Sequence, residues 1–229
     1  MNKNHLIDLL PKKTQESLQA KAQLIELTLS QVICTADSPF DYIYFPVDGF
    51  ISVTQSLDEH PAIEVGMVGR EGVLGAESVL GIANNPFGAL VQGAGSAWQI
   101  GIGDFLAEIK NRPELSKLIN SYLAVRIKQL GLSAACEHFH QIDQRLAKWL
   151  LMSQDRAQSP TFSMTHEFIS LMLGVRRVGI TTTAADFRRR GLIEYHRGEI
   201  KVINRTALQA EACSCYEKNR KIYAEIFSE

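Results

Sequence analysis

The sequence predicts an α+β protein: a jelly-roll-like β module, one long helix, and a C-terminal winged helix-turn-helix. Three observations carry that expectation. Between Gln31 and Ile102, short runs of aromatic and β-branched residues are cut by glycine at close intervals, the pattern of a sandwich, jelly roll or barrel. Between Leu118 and Phe139, mostly apolar residues recur at alternating spacings of four and three, as along a helix seam. After Thr165, two short helical runs separated by Gly174 lead into two β-prone runs around His196-Arg197-Gly198-Glu199, the order helix, turn, helix, hairpin.

Composition narrows the class. The 229 residues suffice for two modest domains or one large one, and 45% hydrophobic content is ordinary for a globular protein. A net charge of −1 argues against a general polyanion binder. The charge is uneven, however. From Gln141 onward there are 14 Lys and Arg against 10 Asp and Glu, and the preceding part has 10 against 15. An acidic body with a basic C-terminal module follows. No signal peptide is expected, because Met1 to Leu10 is polar with too short an apolar run. The uncharged run Ser78–Gly103 is interrupted by Asn84, Asn85, Pro86 and several glycines, so strands and turns are expected there, not a membrane span. A cytoplasmic protein without a disulfide framework is the expectation.

Along the chain, residues 1–30 look helical. Leu18, Ala22 and Ile25 fall at near-helical spacing, and Pro11 suits an entry turn. In "DYIYFPVDGFISVTQ", Asp48-Gly49 signals a turn between two strands. Segments "AIEVGMVGREGVLGAE" and "ALVQGAGSAWQIGIG" are further strand candidates. Gly103-Asp104 ends this zone, and helix follows. Leu118, Tyr122, Val125, Gln129, Leu132 and Cys136 form the expected dimerisation seam, with Gln129 fixing register. The competing expectation is a helix packed on its own β domain. Gly131 weakens helix continuity by about 1 kcal/mol relative to alanine.

The third zone carries the chemistry. Thr165 precedes "HEFISLML" as an N-cap, and Gly174 ends that helix. In the next helix Ile180, Ala184 and Phe187 share an inward face, and Val178, Thr181, Thr182, Ala185 and Arg189 lie opposite. Three successive threonines, Thr181 to Thr183, are mediocre helix formers. They fit a helix that must approach bases closely, because short side chains allow that approach. Their hydroxyls bond phosphate or base, and their methyls meet thymine methyls. Arg177 is placed for a bidentate contact with guanine, worth about 1–3 kcal/mol of discrimination. Arg188, Arg189, Arg190 and Arg197 are expected at phosphates or in solvent.

Other chemistry has little support. "GREGVLG" is neither G-x-G-x-x-G nor a P-loop, and no carboxylate pair stands out, so an enzyme is not expected. Cys136 and His140 are four apart and could share a helix face. Cys213 and Cys215, two apart on a helical segment, point in different directions, and none of these residues has zinc-finger spacing. Ordinary buried thiols are expected, with no metal site and no cofactor.

The segment "MTHEFISLMLGVRRVGITTTAADFRRRGLIEYHRGEIKVIN", together with "YIYFPVDGFISV" and "VGMVGREGVLGAES", resembles the Crp/Fnr family of bacterial transcription regulators. The resemblance covers nearly the whole chain. It implies a cyclic-nucleotide-binding-like β-roll sensor over 1–109, a long dimerisation helix over 110–140, and a winged helix-turn-helix over 141–229. It implies a sequence-specific homodimer on an inverted repeat of double-stranded DNA, with RNA polymerase as a further partner and no membrane. Thr165 matches the family's phosphate-contacting residue. Arg176 and Arg177 match its Ser-Arg pair, with Arg177 in the base-reading position. Val178 replaces the usual glutamate or glutamine, Gly179 the usual threonine, and Thr182 a base-reading arginine or serine. The effector site corresponds to the region around Arg70, Glu71, Val73 and Leu74. There Val73 takes the glutamate position, and no arginine occurs from Glu71 to Asn111. A buried phosphate would be poorly compensated, so control by cyclic AMP in the usual way is not expected. The alternative is a cyclic-nucleotide-binding-like interaction or metabolite-sensing module without sequence-specific DNA binding.

Overall fold

The structure, a computed structural model, describes residues 4–196 and 198–227. The chain forms two compact units. The first holds the residues up to Val53 and Met67–Ile127. The second holds Thr54–Gly66 and the residues from Lys128 onward. The three divisions fall within secondary-structure elements.

The first unit opens with helices α1 (His5–Asp8) and α2 (Lys12–Lys21). The Asn4 side chain caps α1, accepting from the N–H groups of Leu6 and Ile7, and donates to the carbonyls of Pro46 and Gly72 at 2.9 and 2.8 Å. Helix does not continue to residue 30. At Ala22 the chain becomes strand β1 (Ala22–Leu27), paired antiparallel with β5 (Gly88–Gly101) from Ala22↔Ile100 to Leu27↔Gly95. Pairing with a distant strand overrides the local helical spacing of Ala22 and Ile25, as tertiary context commonly does. With β2 (Val32–Cys34), β3 (Tyr42–Leu57) and β4 (His60–Val68), these strands form a sheet ordered β1-β5-β3-β4, with β2 also on β5. Its core contains Ile43, Phe45, Phe50 and Ile51, with Phe105 packed edge-on to Phe45 at 6.2 Å.

Asp48-Gly49 is not a hairpin turn. Gly49 takes φ +68° inside the continuous strand β3, and a Cβ there would lie 2.3 Å from the Gly93 carbonyl oxygen. The glycine bends the strand while a neighbouring backbone passes close by, as glycines in bulged strands do. The actual reversal lies at Asp58-Glu59, between β3 and β4.

Helix α3 (Ile102–Asn111) precedes α4 (Pro113–Phe139), which runs unbroken through Gly131. The expected pairing seam is largely buried within the chain itself. Tyr122, Val125 and Cys136 are 3%, 0% and 0% exposed. Leu118, Gln129 and Leu132 are half-buried. The Tyr122 hydroxyl fills the space that a Cβ on Gly72 would need. Four-three spacing marks any helix with one apolar stripe; here much of that stripe meets the chain's own core.

The second unit is built on α5 (Ile142–Ala157), started by a reciprocal capping box between Gln141 and Gln144. Trp149 is buried and donates from Nε1 to Glu64 of the β3–β4 hairpin at 3.1 Å. Next come β6 (Thr161–Ser163), α6 (His166–Met172), α7 (Arg177–Arg189), β7 (Ile193–His196), β8 (Glu199–Val202), α8 (Arg205–Glu211) and α9 (Cys215–Phe227). Strands β7 and β8 form the expected hairpin, with Ile193↔Val202 and His196↔Glu199 in register. Strand β6, too short to show a local pattern, adds a third strand on β8. No helix among the described residues is long and apolar enough to cross a membrane.

Candidate nucleic-acid interface

The interface is assembled around α7. Ile180, Ala184 and Phe187 are 0%, 4% and 1% exposed and seat the helix on its own unit. That anchoring turns the other face outward. Arg176, Arg177, Thr181, Thr182, Arg188 and Arg189 are exposed there, and Val178 is 68% exposed. The apolar-inward pattern of the sequence is thus the observed one.

Helix α6 fixes where α7 starts. Thr165 caps it, its hydroxyl oxygen accepting from the Phe168 N–H at 3.1 Å. Gly174 at φ +61° turns the chain, and the Val175 N–H returns to the Ser170 carbonyl at 2.9 Å. Arg145 of α5, only 6% exposed, donates to the Leu173 carbonyl and to Glu137. A buried guanidinium thereby satisfies a helix-end carbonyl at the turn. The wing is tied to the same place: the Met164 N–H donates to the Gly198 carbonyl. Thr165 therefore lies beside the hairpin turn. Arg197 lies outside the described residues.

The charged groups on this surface differ in what holds them. Arg177 meets Glu167 at 3.6 Å, with the two side chains 67% and 70% exposed. So exposed a pair is weak and is readily exchanged for a phosphate or a base. Arg189 bonds Asp186, and Arg190 bonds both Asp186 and Glu211. Hydrogen bonds from Arg189, then Arg190, hold the Asp186 carboxyl below its ordinary value, and Arg190 does the same for Glu211. Arg190 is thus engaged by two carboxylates at the end of α7, and Arg189 by one.

Two residues of this surface were missed in the sequence: His166 and Tyr195. Together with Thr181, Ala185, Arg188 and Arg189 they line a groove between α6, α7 and the wing. The His166 ring stacks on Tyr195 at 4.1 Å, and its Nδ1 lies 3.3 Å from the Thr181 hydroxyl. Burial, then the charge of Arg177, pushes the His166 imidazole below its ordinary value. Which of Nδ1 and the Thr181 hydroxyl donates depends on the ring's tautomer. The position of His166, directly after a capping threonine, was the available signal.

In the first unit, Val73 and Leu74 are buried and line a cavity of about 10 Å3 together with Cys34, Glu77 and Arg126. Arg126 comes from α4, is 4% exposed, and has a guanidinium nitrogen 3.5 Å from the Met67 carbonyl. It is the cation that a search confined to the roll segment overlooks. Arg70 and Glu71 are half-buried and are not among the residues lining this cavity.

Residues 144–211 match the model of the Crp-like helix-turn-helix domain. No curated protein matches the chain in sequence. Solved structures share its fold. FixK2 from Bradyrhizobium japonicum is similar with a TM-score of 0.71 and 16% identity, over 84% of this chain and 98% of that one. TTHA1359, a transcriptional regulator of the CRP/FNR family from Thermus thermophilus, gives 0.69 and 18%, over 83% and 98%. The c-di-GMP responsive global regulator CLP of Xanthomonas campestris gives 0.67 and 13%, over 84% and 99%.

Proposed function

We propose that this protein is a DNA-binding transcription regulator of Crp/Fnr type that works as a homodimer on an inverted-repeat site, without cyclic AMP as its usual effector. It is a regulator and not an enzyme. The observation that carries the reading is the exposed face of α7, with Arg176, Arg177, Val178, Thr181 and Thr182 turned away from the core of a Crp-like helix-turn-helix domain. A helix so placed enters the major groove with its N-terminal residues toward base edges. Arg177 reads guanine, and the threonines and Val178 meet thymine methyls and nearby phosphates. Thr165, Arg176, Arg189 and the wing around Gly198 add phosphate contacts that weaken with salt.

Dimerisation is assigned to the face of α4 that the chain leaves open. Asn120, Ala124, Ile127, Gly131, Ala134 and His138 are all exposed and repeat at spacings of four and three. Ile127 is 69% exposed, and the small residues around it allow two helices to approach closely. Two copies joined there would present reading helices about one DNA turn, ~34 Å, apart. Independence from cyclic AMP is supported by Val73, which stands buried where the family's ribose-binding glutamate would be, and by the absence of an arginine between Glu71 and Asn111 within the roll segment itself. A cytoplasmic location and recruitment of RNA polymerase complete the proposal.

Selection of bound genomic fragments followed by mobility shift tests it. An enriched palindrome bound by a dimer, with affinity lost in Arg177→Ala, is the expected result. Binding that is indifferent to Arg177→Ala overturns it in favour of an interaction module. Tight calorimetric binding of cyclic AMP, lost in Arg70→Ala or Arg126→Ala, overturns the effector part alone.

A further inference from the structure

We propose that Cys136, His140, Cys213 and Cys215 bind one divalent metal ion of zinc type, which staples the α8–α9 turn to the C-terminal end of α4. Their ligand atoms all lie within 4.8 Å of one another. The Cys136 and Cys213 sulfurs are 3.6 Å apart, and the Cys215 sulfur is 3.6 Å from His140 Nδ1. Bonds of ~2.3 Å to sulfur and ~2.0–2.1 Å to nitrogen in a tetrahedron place sulfurs ~3.8 Å apart and sulfur ~3.6 Å from nitrogen. The two observed separations are close to those values. The widest separation in the group needs to shrink by about 1 Å, within the reach of side-chain adjustment.

The backbone explains the convergence. Cys136 and His140 are four apart and joined by the His140 N–H to the Cys136 carbonyl at 3.1 Å, so they share a face. Cys213 is not helical. It lies in the turn between α8 and α9, with the Tyr216 N–H donating to its carbonyl at 3.0 Å, and Cys215 opens α9. The expectation that residues two apart diverge holds for a helix interior, and this turn abolishes it. Three thiols that are 0%, 4% and 2% exposed, with a half-buried imidazole, make a closed set of the Cys3His kind that structural zinc takes. Lys148, 7% exposed, places its ammonium 3.3 Å from the Cys136 sulfur. Three thiolates and a neutral imidazole around a divalent ion carry one net negative charge, which that buried ammonium balances. As each sulfur–metal bond forms, the thiol proton passes to solvent. A single ion suits this compact set better than an iron–sulfur cluster, whose thiolates are spread over several irons.

The test is elemental analysis of the full-length protein, grown with zinc and passed over a chelating column. Expected is about one zinc per chain, released by a mercurial reagent that blocks thiols. Cobalt put in its place should give the visible bands of a tetrahedral site and a thiolate charge-transfer band. His140→Ala and Cys213→Ser should lower retained zinc several-fold, and Cys34→Ser should leave it unchanged. Because loss of a ligand can itself unfold the chain, the cobalt spectrum of the unaltered protein decides independently. Protein with free thiols that retains neither zinc nor cobalt overturns the proposal. So does iron with matching acid-labile sulfide, or a Cys136–Cys213 disulfide formed without metal.

Discussion

Arg177 and Arg189 occupy opposite ends of α7, and the proposed function gives them different work. Arg177 has an exposed carboxylate, Glu167, at 3.6 Å, so exchanging that partner for a base costs little. Arg177→Ala should weaken specific binding by about 1–3 kcal/mol and non-specific binding far less. Arg189→Ala should weaken both alike and reduce the salt slope by about 1. Mobility shifts on operator and scrambled DNA across a salt series check both, and equal effects of the two substitutions would remove the assignment. His166 offers a pH signature at the same surface. Its imidazole is held below the ordinary value by burial and by Arg177. It is therefore neutral near pH 7, and acidification costs stability once pH falls below the unfolded value of ~6.5. Phosphate beside the groove would raise that pKa. DNA affinity of the parent should then rise more steeply between pH 7 and 5.5 than that of His166→Gln. Parallel pH profiles would show that no phosphate approaches the ring.

At the scale of elements, the ion cluster joining α2 and α3 can be judged from its pH dependence. Glu108 is 5% exposed and receives Lys21 at 2.8 Å and Arg112 at 2.6 Å. Burial by itself would raise its carboxyl, but hydrogen bonds from Lys21, Arg112 and Ser17 outweigh it and hold the group at about 2. A carboxyl lowered in the fold stabilises above its unfolded value of ~4.3, and the stabilisation fades as pH falls toward 2. Glu108→Gln should therefore lower the urea midpoint at pH 7, at a cost on the order of 3 kcal/mol, and the two proteins should converge near pH 2. A constant gap across that range would exclude ionisation as the cause. In the helix-turn-helix, Thr165→Ala removes the cap of α6 at a cost of about 1 kcal/mol, measurable by thermal unfolding.

For the whole molecule, the decisive property is assembly. If the open stripe of α4 forms the pairing surface, Ile127→Glu should convert dimer to monomer in light-scattering chromatography. DNA binding should weaken at least about tenfold with it, because each half-site would then be held alone. Tyr122→Ala, on the buried face, should instead cost folding stability, about 3–5 kcal/mol as for other large aromatic deletions. A dimer that survives Ile127→Glu would move the interface elsewhere.

By itself the sequence determined what local physics determines. It marked the apolar inward face of α7, the capping threonine, the turn at Gly174 and the β7–β8 hairpin, because each depends on residues within a few positions of one another. Arg177 and the threonines were legible for the same reason: they occupy the face that the apolar spacing leaves over. Tertiary structure alone decided what depends on distant partners. Residues Ala22 and Ile25 became strand because β5 offered them a ladder. Asp48-Gly49 became a bend because Gly93 crosses it. The α4 seam turned inward, and Arg126 reached the roll cavity from outside the roll segment. Four residues with metal-ligating side chains, from two remote segments, converged at one point. Spacing along a chain constrains neighbours, but only packing brings residues 77 positions apart to within 3.6 Å.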